Sequence, residues 1–529
     1  RWSCCGSSHT QENENFVGTM SSLSSTNSKY PFGKTLLLRR NEMGNIALQE
    51  TKEDILKERI EIYLTIVDKA KTTNKMLVAL NLNTEGVKPL FLGKTELSSA
   101  TKTSTEGEYP YNTTFAIDFY FERQQKISAV LFDSKGNQTE PLNTSVGEIM
   151  GTLKKSVKLE TKSHTLIVSF KKLQNSRTNI SFTCECPSLK GSSQFFYILS
   201  NHNDNRSWRK VYKSEERGKG EKYDSVEIDS SALCLGDASK RMKIDFFPVG
   251  SSISIDQAEF SINEVSQNKG INTKNGLRVN CSGEMIQQMT FVDYLNKGLE
   301  INLVVGIDFT ASNGDPGKPT SNHYLHGAEP NEYERSIMSC GDILYNYDFD
   351  KKFPLLGFGG IPHGRSMVEH VFPLNGSPDP CVHSISEMIQ VYKDSLAKTQ
   401  LFGPTFFHPI ISRTASLSQS KGDKTYFVLL MLTDGAITDM EETVKSIIEA
   451  SKLPMSIIII GIGKEKFNNM EELDGDEVPL SFEGKMVSRD IVQFVEFKKF
   501  EANRTMLAQE VLREIPRQVE DYYRGRSFN

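Results

Sequence analysis

The stretch INLVVGIDFTASN, residues 301–313, joins a continuous apolar run to a carboxylate and two hydroxyls that follow it directly. Similar apolar runs occur at 426–432, followed by Thr433-Asp434-Gly435, and at 456–462. Unbroken apolar runs are typical of parallel strands that are buried on both faces. Because amphipathic helical patterns separate these runs, the residues from 285 to 525 are predicted to form a doubly wound α/β fold.

The helical patterns are recognised by apolar residues that recur on one face of a helix. One face is formed by Ile385, Met388, Ile389, Tyr392 and Leu396, and another by Val444, Ile447 and Ile448. A last amphipathic helix is predicted over 506–519.

The polar residues that follow two of the predicted strands form a candidate metal site. Ligands in open α/β sheets bind at the carboxyl ends of the strands, which here carry Asp308, Thr310 and Ser312 on one strand and Asp434 on another. Oxygen ligands of this kind suit Mg²⁺, with Mn²⁺ or Ca²⁺ as further possibilities. The alternative is that Asp308 and Asp434 only cap turns and helices.

Short strands separated by turn residues precede the α/β part and indicate two antiparallel sandwiches. The first is predicted over 56–172, where Ile60, Ile62, Leu64 and Ile66 alternate with polar neighbours, and the second over 173–280. The predicted strands of the second are 180–184, 195–200, 207–212, 225–228, 242–246 and 260–265. Cys184 and Cys186 lie two apart on a strand and are expected to be small buried hydrophobes.

Composition and motifs exclude several classes of function. The 529 residues carry 62 Lys and Arg against 67 Asp and Glu, a net charge of −5, which does not favour a nucleic-acid binder. His323 and His326 lack the helical Glu of zinc proteases and are expected in a solvated loop. The glycine-rich segment 357–360 lacks the Lys-Ser/Thr of a phosphate loop. Since no nucleophile is paired with a base, we expect neither an enzyme nor a small-molecule substrate.

Longer stretches around the candidate site resemble the copine family. Asp308-Phe309-Thr310-Ala311-Ser312 is similar to the Asp-x-Ser-x-Ser motif of von Willebrand A domains, and 401–405, 432–435, 452–457 and 489–495 are similar to copines. The resemblance implies tandem C2 domains followed by a copine-type A domain. It assigns metal ligation to Asp308, Thr310, Ser312, Thr405 and Asp434, and it implies that an acidic side chain of a protein partner completes the metal shell.

Copines bind phospholipid in a calcium-dependent way, but this sequence departs from the family in its C2 loops. The possible calcium ligands that remain are Asp68, Asp133 and Asp256, and lysines lie close to the first two. We therefore expect weak or absent calcium dependence. Contact with an anionic phospholipid membrane is expected to rest on Arg206, Arg209, Lys210 and Lys213, a solvated loop being the alternative.

The first 55 residues are rich in Ser and Thr and are expected to form a disordered tail. Within it, Cys4 and Cys5 are candidates for acylation, the alternative being two exposed thiols. The sequence thus predicts a cytoplasmic adaptor that associates peripherally with the plasma membrane. The alternative function is a metal-dependent interaction scaffold without direct membrane binding.

Overall fold

The structure, a computed structural model, describes residues 57–69, 75–98, 108–173, 178–202, 208–435, 437–475, 479–526 and 528. These residues divide into two compact units. One unit contains Ile180–Ile228 and Ala232–Glu284, and the other contains residues 57–179 together with Met285–Asn529 and Asp229–Ser231. The predicted tail, with Cys4 and Cys5, lies outside the described residues, and the predicted domain limits stay predictions.

Residues 57–173 form an antiparallel sandwich of two sheets. The alternation predicted for the first strand is confirmed, since Ile60, Ile62, Leu64 and Ile66 are at most 1% exposed. One sheet consists of Glu108–Pro110, Lys57–Asp68, His164–Lys172 and Ser156–Glu160, with Phe115–Tyr120 also paired to Lys57–Asp68. The other consists of Leu90–Lys94, Met76–Thr84, Gln125–Asp133 and Leu142–Ser145.

A second pair of sheets follows between residues 178 and 287. Its two sheets meet through aromatic rings, with the Phe182 and Phe260 centroids 5.7 Å apart. Cys184 and Cys186 are each 2% exposed, as expected for small buried hydrophobes. One sheet consists of Val226–Asp229, Thr178–Cys184, Arg278–Gln287 and Gly270–Asn272. The other consists of Trp208–Lys213, Gln194–His202, Met242–Pro248 and Asp256–Phe260, with Arg217–Gly218 paired to Gln194–His202.

The α/β part is built on a seven-stranded sheet in which five consecutive strands, from Phe353–Phe358 to Val492–Glu496, are parallel. Its order is Phe372–Pro373, Phe353–Phe358, Glu300–Asp308, Thr425–Thr433, Met455–Gly461 and Val492–Glu496, with Cys381–Val382 also paired to Phe353–Phe358. In the strand Glu300–Asp308, alternate residues belong to two separate apolar clusters. Leu303 and Val305 lie in one cluster, and Val304 lies in the other. Both faces of the sheet are therefore buried, as a doubly wound fold requires.

Helices connect and cover these sheets. The α-helices are Val146–Gly151, Ser230–Cys234, Ile262–Asn268, Phe291–Asn296, Glu332–Leu344, Ile385–Leu396, His408–Ser420, Met440–Ala450, Asn468–Asp474, Arg504–Leu512 and Ile515–Tyr523. The 3₁₀ helices are Ala311–Asn313, Tyr345–Tyr347 and Phe497–Phe500. Short paired strands are Gly360–Ile361 with Gln400–Leu401, and Ser481–Phe482 with Lys485–Met486. Within the described residues, no helix has the length and apolar character needed to cross a membrane.

Two local predictions are wrong. The predicted strand 260–265 is instead the end of strand Asp256–Phe260 and the start of helix Ile262–Asn268. Ser261 and Glu264 form a capping box there, which starts a helix. The predicted single helix over 506–519 is two helices, because Pro516 lacks the amide hydrogen needed in a helix interior and instead lies in the first turn of Ile515–Tyr523.

Candidate metal centre

The two aspartates of the predicted metal site lie at the ends of adjacent strands. Asp308 ends the strand Glu300–Asp308, and Asp434 follows Thr425–Thr433. The strands are parallel, with Ile307 opposite Leu432. They are neighbours in the sheet although the parallel strand Phe353–Phe358 lies between them in the chain, so the sheet changes its direction of winding there. Crevices for ligands open at such switch points in α/β sheets.

Asp308 is fully buried and is held by hydroxyl and amide donors. Its Oδ1 accepts from the backbone N of Thr310 at 2.8 Å and from the Thr310 hydroxyl at 2.6 Å. Its Oδ2 accepts from the Thr433 hydroxyl at 2.7 Å. Burial raises the pKa of Asp308, and the Thr310 and Thr433 hydrogen bonds oppose that rise. Ser312 joins the group, with its Oγ 2.9 Å from the Thr310 Oγ1.

Asp434 belongs to the same site, and the described residues do not neutralise the negative charge of its carboxylate. Asp434 is 1% exposed, and neither carboxylate oxygen makes a hydrogen bond of normal geometry among the described residues, although the Ser312 hydroxyl lies close enough to lower its pKa. Burial, and then the charge of Asp308, raise the pKa of Asp434 to about 7. A buried carboxylate without donors is unfavourable unless a cation or a proton neutralises it. The carboxylate and hydroxyl oxygens of the site are therefore suitable ligands for a hard divalent ion.

Thr405 lies in a loop that packs beside the Asp308 segment. The backbone N of Ala311 donates to the Phe402 carbonyl at 2.8 Å, and the backbone N of Phe402 donates to the Phe309 carbonyl at 3.1 Å. Thr405 is 4% exposed. The structure thus brings the loop of Thr405 to the same edge of the sheet as Asp308 and Thr310.

Two residues of the site were missed by sequence reasoning. Thr433 had a signal, because it directly precedes Asp434 at the strand end. His323 had none, and its expected place in a solvated loop is wrong, because the ring is fully buried. Its Nε2 lies 2.8 Å from the Asp308 carbonyl and its Nδ1 lies 2.8 Å from the Tyr392 hydroxyl.

The surroundings of His323 define its protonation. A carbonyl oxygen can only accept, so Nε2 carries the proton and Nδ1 accepts from Tyr392. Burial lowers the pKa of His323 to about 3, so the ring is neutral at physiological pH. His326 is exposed, and the two histidines therefore do not act as a pair.

The possible calcium ligands of the sandwiches serve local structure. Asp133 accepts from the backbone N atoms of Lys135 and Asn137, each at 2.8 Å, and thereby caps a turn. Asp256 is 4% exposed and accepts from the Thr273 hydroxyl at 2.6 Å. Asp68 is 6% exposed at the end of its strand. In the part of either sandwich that the structure describes, no three acidic side chains place oxygens within 4.8 Å of one another.

The basic candidates for lipid contact lie on the strand Trp208–Lys213, at the end of its sheet. Arg209, Lys210 and Lys213 are exposed, and the Lys213 Nζ lies 4.2 Å above the Phe196 ring. Arg206 lies outside the described residues.

Comparison with known proteins identifies relatives of the chain. The copine family model matches residues 321–529. Copine-A of Dictyostelium discoideum is 32% identical over 458 residues, which are 79% of this chain and 76% of that protein.

Solved structures with similar parts are much more distant. The two calcium-bound C2 domains of extended-synaptotagmin 2 are 7% identical, with a TM-score of 0.17, and the match covers 44% of this chain and 98% of that one. A von Willebrand factor type A protein from Catenulispora acidiphila is 11% identical, with a TM-score of 0.26, over 42% of this chain and 43% of that one. Manganese-loaded TRAP protein of Plasmodium vivax is 13% identical, with a TM-score of 0.24, over 38% and 70%.

Proposed function

The chain belongs to the copine family, and on this premise we propose that it is a phospholipid-binding membrane adaptor. Its α/β part binds Mg²⁺ or Mn²⁺ and recruits a protein partner, while its sandwiches contact an anionic membrane. It works at the cytoplasmic side of the plasma membrane, and it acts by binding and not by catalysis.

The observation that carries this proposal is the buried carboxylate of Asp434, which makes no hydrogen bond of normal geometry among the described residues and has only the Ser312 hydroxyl, another proposed ligand, interacting with it as a side-chain donor. It lies across the switch point from Asp308, whose oxygens are already bonded by Thr310 and Thr433. Two adjacent buried carboxylates repel each other unless a positive charge lies between them. Asp308, Thr310, Ser312, Thr405 and Asp434 are the residues that would hold that charge.

The partner is expected to supply an acidic side chain. The site lies at the carboxyl edge of the sheet, and Phe402, whose backbone pairs with that of Thr310, is 52% exposed. A bound divalent ion would supply positive charge at this edge, to which a partner carboxylate adds an oxygen ligand. Phe402 would give the same partner an apolar contact beside the ion.

The proposal of binding without catalysis is supported by His323. Both of its ring nitrogens are engaged, one by the Asp308 carbonyl and the other by Tyr392. The buried neutral ring therefore orients the Asp308 backbone and is not available as a general base.

The metal site is tested by calorimetric titration of the full chain with Mn²⁺, after removal of bound metal. We expect Asp434→Asn to lower the affinity of one site by at least about tenfold, or 1.4 kcal/mol, because the amide lacks the negative charge. Asp434→Asn leaves the hydrogen bonds of Asp308 in place, so the fold is expected to persist.

Glu441→Gln is the matched control, since Glu441 is an exposed acid in the first turn of helix Met440–Ala450. It removes one negative charge from the same part of the chain and should leave Mn²⁺ binding unchanged. Equal affinity in Asp434→Asn and the parent would show that this carboxylate is not a ligand.

A further inference from the structure

A second group of carboxylates lies at the opposite edge of the α/β sheet from Asp308. Glu300 is the first residue of strand Glu300–Asp308, and Asp348 and Asp350 lie in the loop before the parallel neighbour Phe353–Phe358. One carboxylate oxygen from each of the three lies within 4.8 Å of the others. The group therefore belongs to the amino edge of the sheet and is separate from the site already described.

Asp348 is buried in this group with half of its carboxylate unsatisfied. Asp348 is 1% exposed, its Oδ1 accepts from the backbone N of Lys351 at 2.9 Å, and no amide, hydroxyl or cationic group among the described residues donates to its Oδ2, which lies near the Asp350 carboxylate. Burial, followed by the charges of Asp350 and Glu300, raises the pKa of Asp348 to about 7. Three carboxylates this close together repel one another unless a cation binds between them or two of them share a proton.

The backbone orients the other two carboxylates. The backbone N of Phe349 donates to the Glu300 Oε1 at 3.1 Å, and the backbone N of Lys352 donates to the Asp350 Oδ1 at 3.1 Å. Each acid thus keeps a second oxygen for a ligand. The first of these bonds ties the loop to the start of strand Glu300–Asp308, and the second lies within the loop.

The lysine nearest in sequence does not neutralise the group. The Lys351 ammonium donates to the Tyr345 carbonyl and lies 4.1 Å from the centre of the Tyr345 ring. Burial lowers the pKa of Lys351, and the charge of Asp348 opposes that effect. Its hydrogen bond therefore goes to Tyr345 and not to the carboxylates, which leaves their oxygens open to an external cation.

We propose that Glu300, Asp348 and Asp350 form a calcium site that ties the loop of residues 348–352 to the start of strand Glu300–Asp308. One oxygen from each acid lies within 4.8 Å of the others, which is close enough for a shared cation. Calcium accepts six to eight oxygens in flexible arrangements at about 2.3–2.6 Å, which suits three acids from two segments of the chain, whereas magnesium demands near-ideal octahedral geometry at about 2.0–2.1 Å. Asp350 is exposed, which leaves room for water to complete the shell.

The site is tested by counting Ca²⁺ ions bound to the metal-free full chain in equilibrium dialysis, with thermal unfolding as a second readout. Asp350→Asn and Asp348→Asn are each expected to lose one Ca²⁺ per chain, or at least tenfold in affinity for it, and to lose part of the Ca²⁺-induced rise in Tm. In the parent, Mg²⁺ at the same concentration should not take the place of the Ca²⁺ ion at this site. Asp434→Asn should retain this Ca²⁺, which separates the inference from the proposed partner site.

Asp237→Asn is the control, because Asp237 is an exposed aspartate whose Oδ1 likewise accepts from a backbone N, that of Ser239 at 2.9 Å. It should bind as much Ca²⁺ as the parent. If Asp348→Asn does not fold, Asp350→Asn decides, since its side chain lies at the surface. If Asp350→Asn binds as many Ca²⁺ ions as the parent, and with the same affinity, the proposed site is wrong. If the site binds Mg²⁺ as well as Ca²⁺, its assignment to calcium is wrong.

Discussion

At the scale of single residues, the Thr433 hydroxyl satisfies the Asp308 oxygen that faces the next strand. Thr433→Val removes this hydroxyl donor from the buried Oδ2 of Asp308. Leaving a buried acceptor unsatisfied costs about 1–3 kcal/mol, so the free energy of unfolding should fall by that amount in denaturant titrations of the metal-free chain. Thr433→Ser keeps the hydroxyl and should keep most of the stability. Equal stability of the Val variant and the parent would contradict this role.

The residues of the metal site differ in how well the sequence alone predicted their positions. Asp308 and Asp434 follow apolar strands, and the rule that ligands bind at the carboxyl ends of strands was enough to bring them together. Thr405 came only from the resemblance to copines, because its loop carries no periodic pattern. His323 could not be placed at all, since its burial depends on Tyr392, which lies 69 residues later in the chain.

At the scale of elements, the capping box at Ser261 starts a helix in a short segment that the alternation of apolar residues alone predicts to be a strand. The Ser261 hydroxyl accepts from the backbone N of Glu264, and the Glu264 carboxylate accepts from the backbone N of Ser261 at 3.0 Å. Ser261→Ala removes the cap and should lower the free energy of unfolding by about 1 kcal/mol. Ser261→Asp supplies another capping oxygen and should restore stability in the same denaturation experiment. No loss in the Ala variant would show that packing alone fixes this helix.

Strands were easier to predict than helix ends, for a physical reason. The strand Lys57–Asp68 alternates buried and less buried side chains, and a period of two residues is readable in any short segment. The break between Arg504–Leu512 and Ile515–Tyr523 depends on one residue, Pro516, inside a continuous apolar pattern. Periodicity reports which face is buried, whereas caps and prolines determine where a helix begins and ends.

At the scale of the whole molecule, the first sandwich shares one apolar core with the α/β part. The Phe121 ring lies 4.9 Å from the rings of both Phe291 and Tyr347. A Cβ on Gly151 would lie 1.7 Å from the carbonyl oxygen of Asn346, so only glycine allows this close approach. No local pattern predicts this contact, because the partners lie far apart in the chain. It also means that metal and membrane binding are best measured on the full chain.

The acidic residues of the two sandwiches yield a prediction about membrane binding by the full chain. Asp133 and Asp256 are already engaged in hydrogen bonds, so binding to phosphatidylserine vesicles should not require micromolar Ca²⁺ and should persist in EDTA. Instead it should weaken as NaCl is raised from about 0.1 to 1 M, which shortens the screening length from about 10 to 3 Å.

The basic strand provides the matching test of that prediction. Arg209 and Lys210 are exposed, and each cation near an anionic surface contributes about 1 kcal/mol. Replacing both with Gln should therefore weaken vesicle sedimentation by about 30-fold, which corresponds to roughly 2 kcal/mol. Lys421→Gln, at an exposed lysine of the α/β part, should leave sedimentation unchanged. Strong binding at micromolar Ca²⁺ that EDTA abolishes would instead assign the contact to calcium-binding loops. No sedimentation under any of these conditions would favour a scaffold that does not touch the membrane, because the exposed cations would then be only solvated.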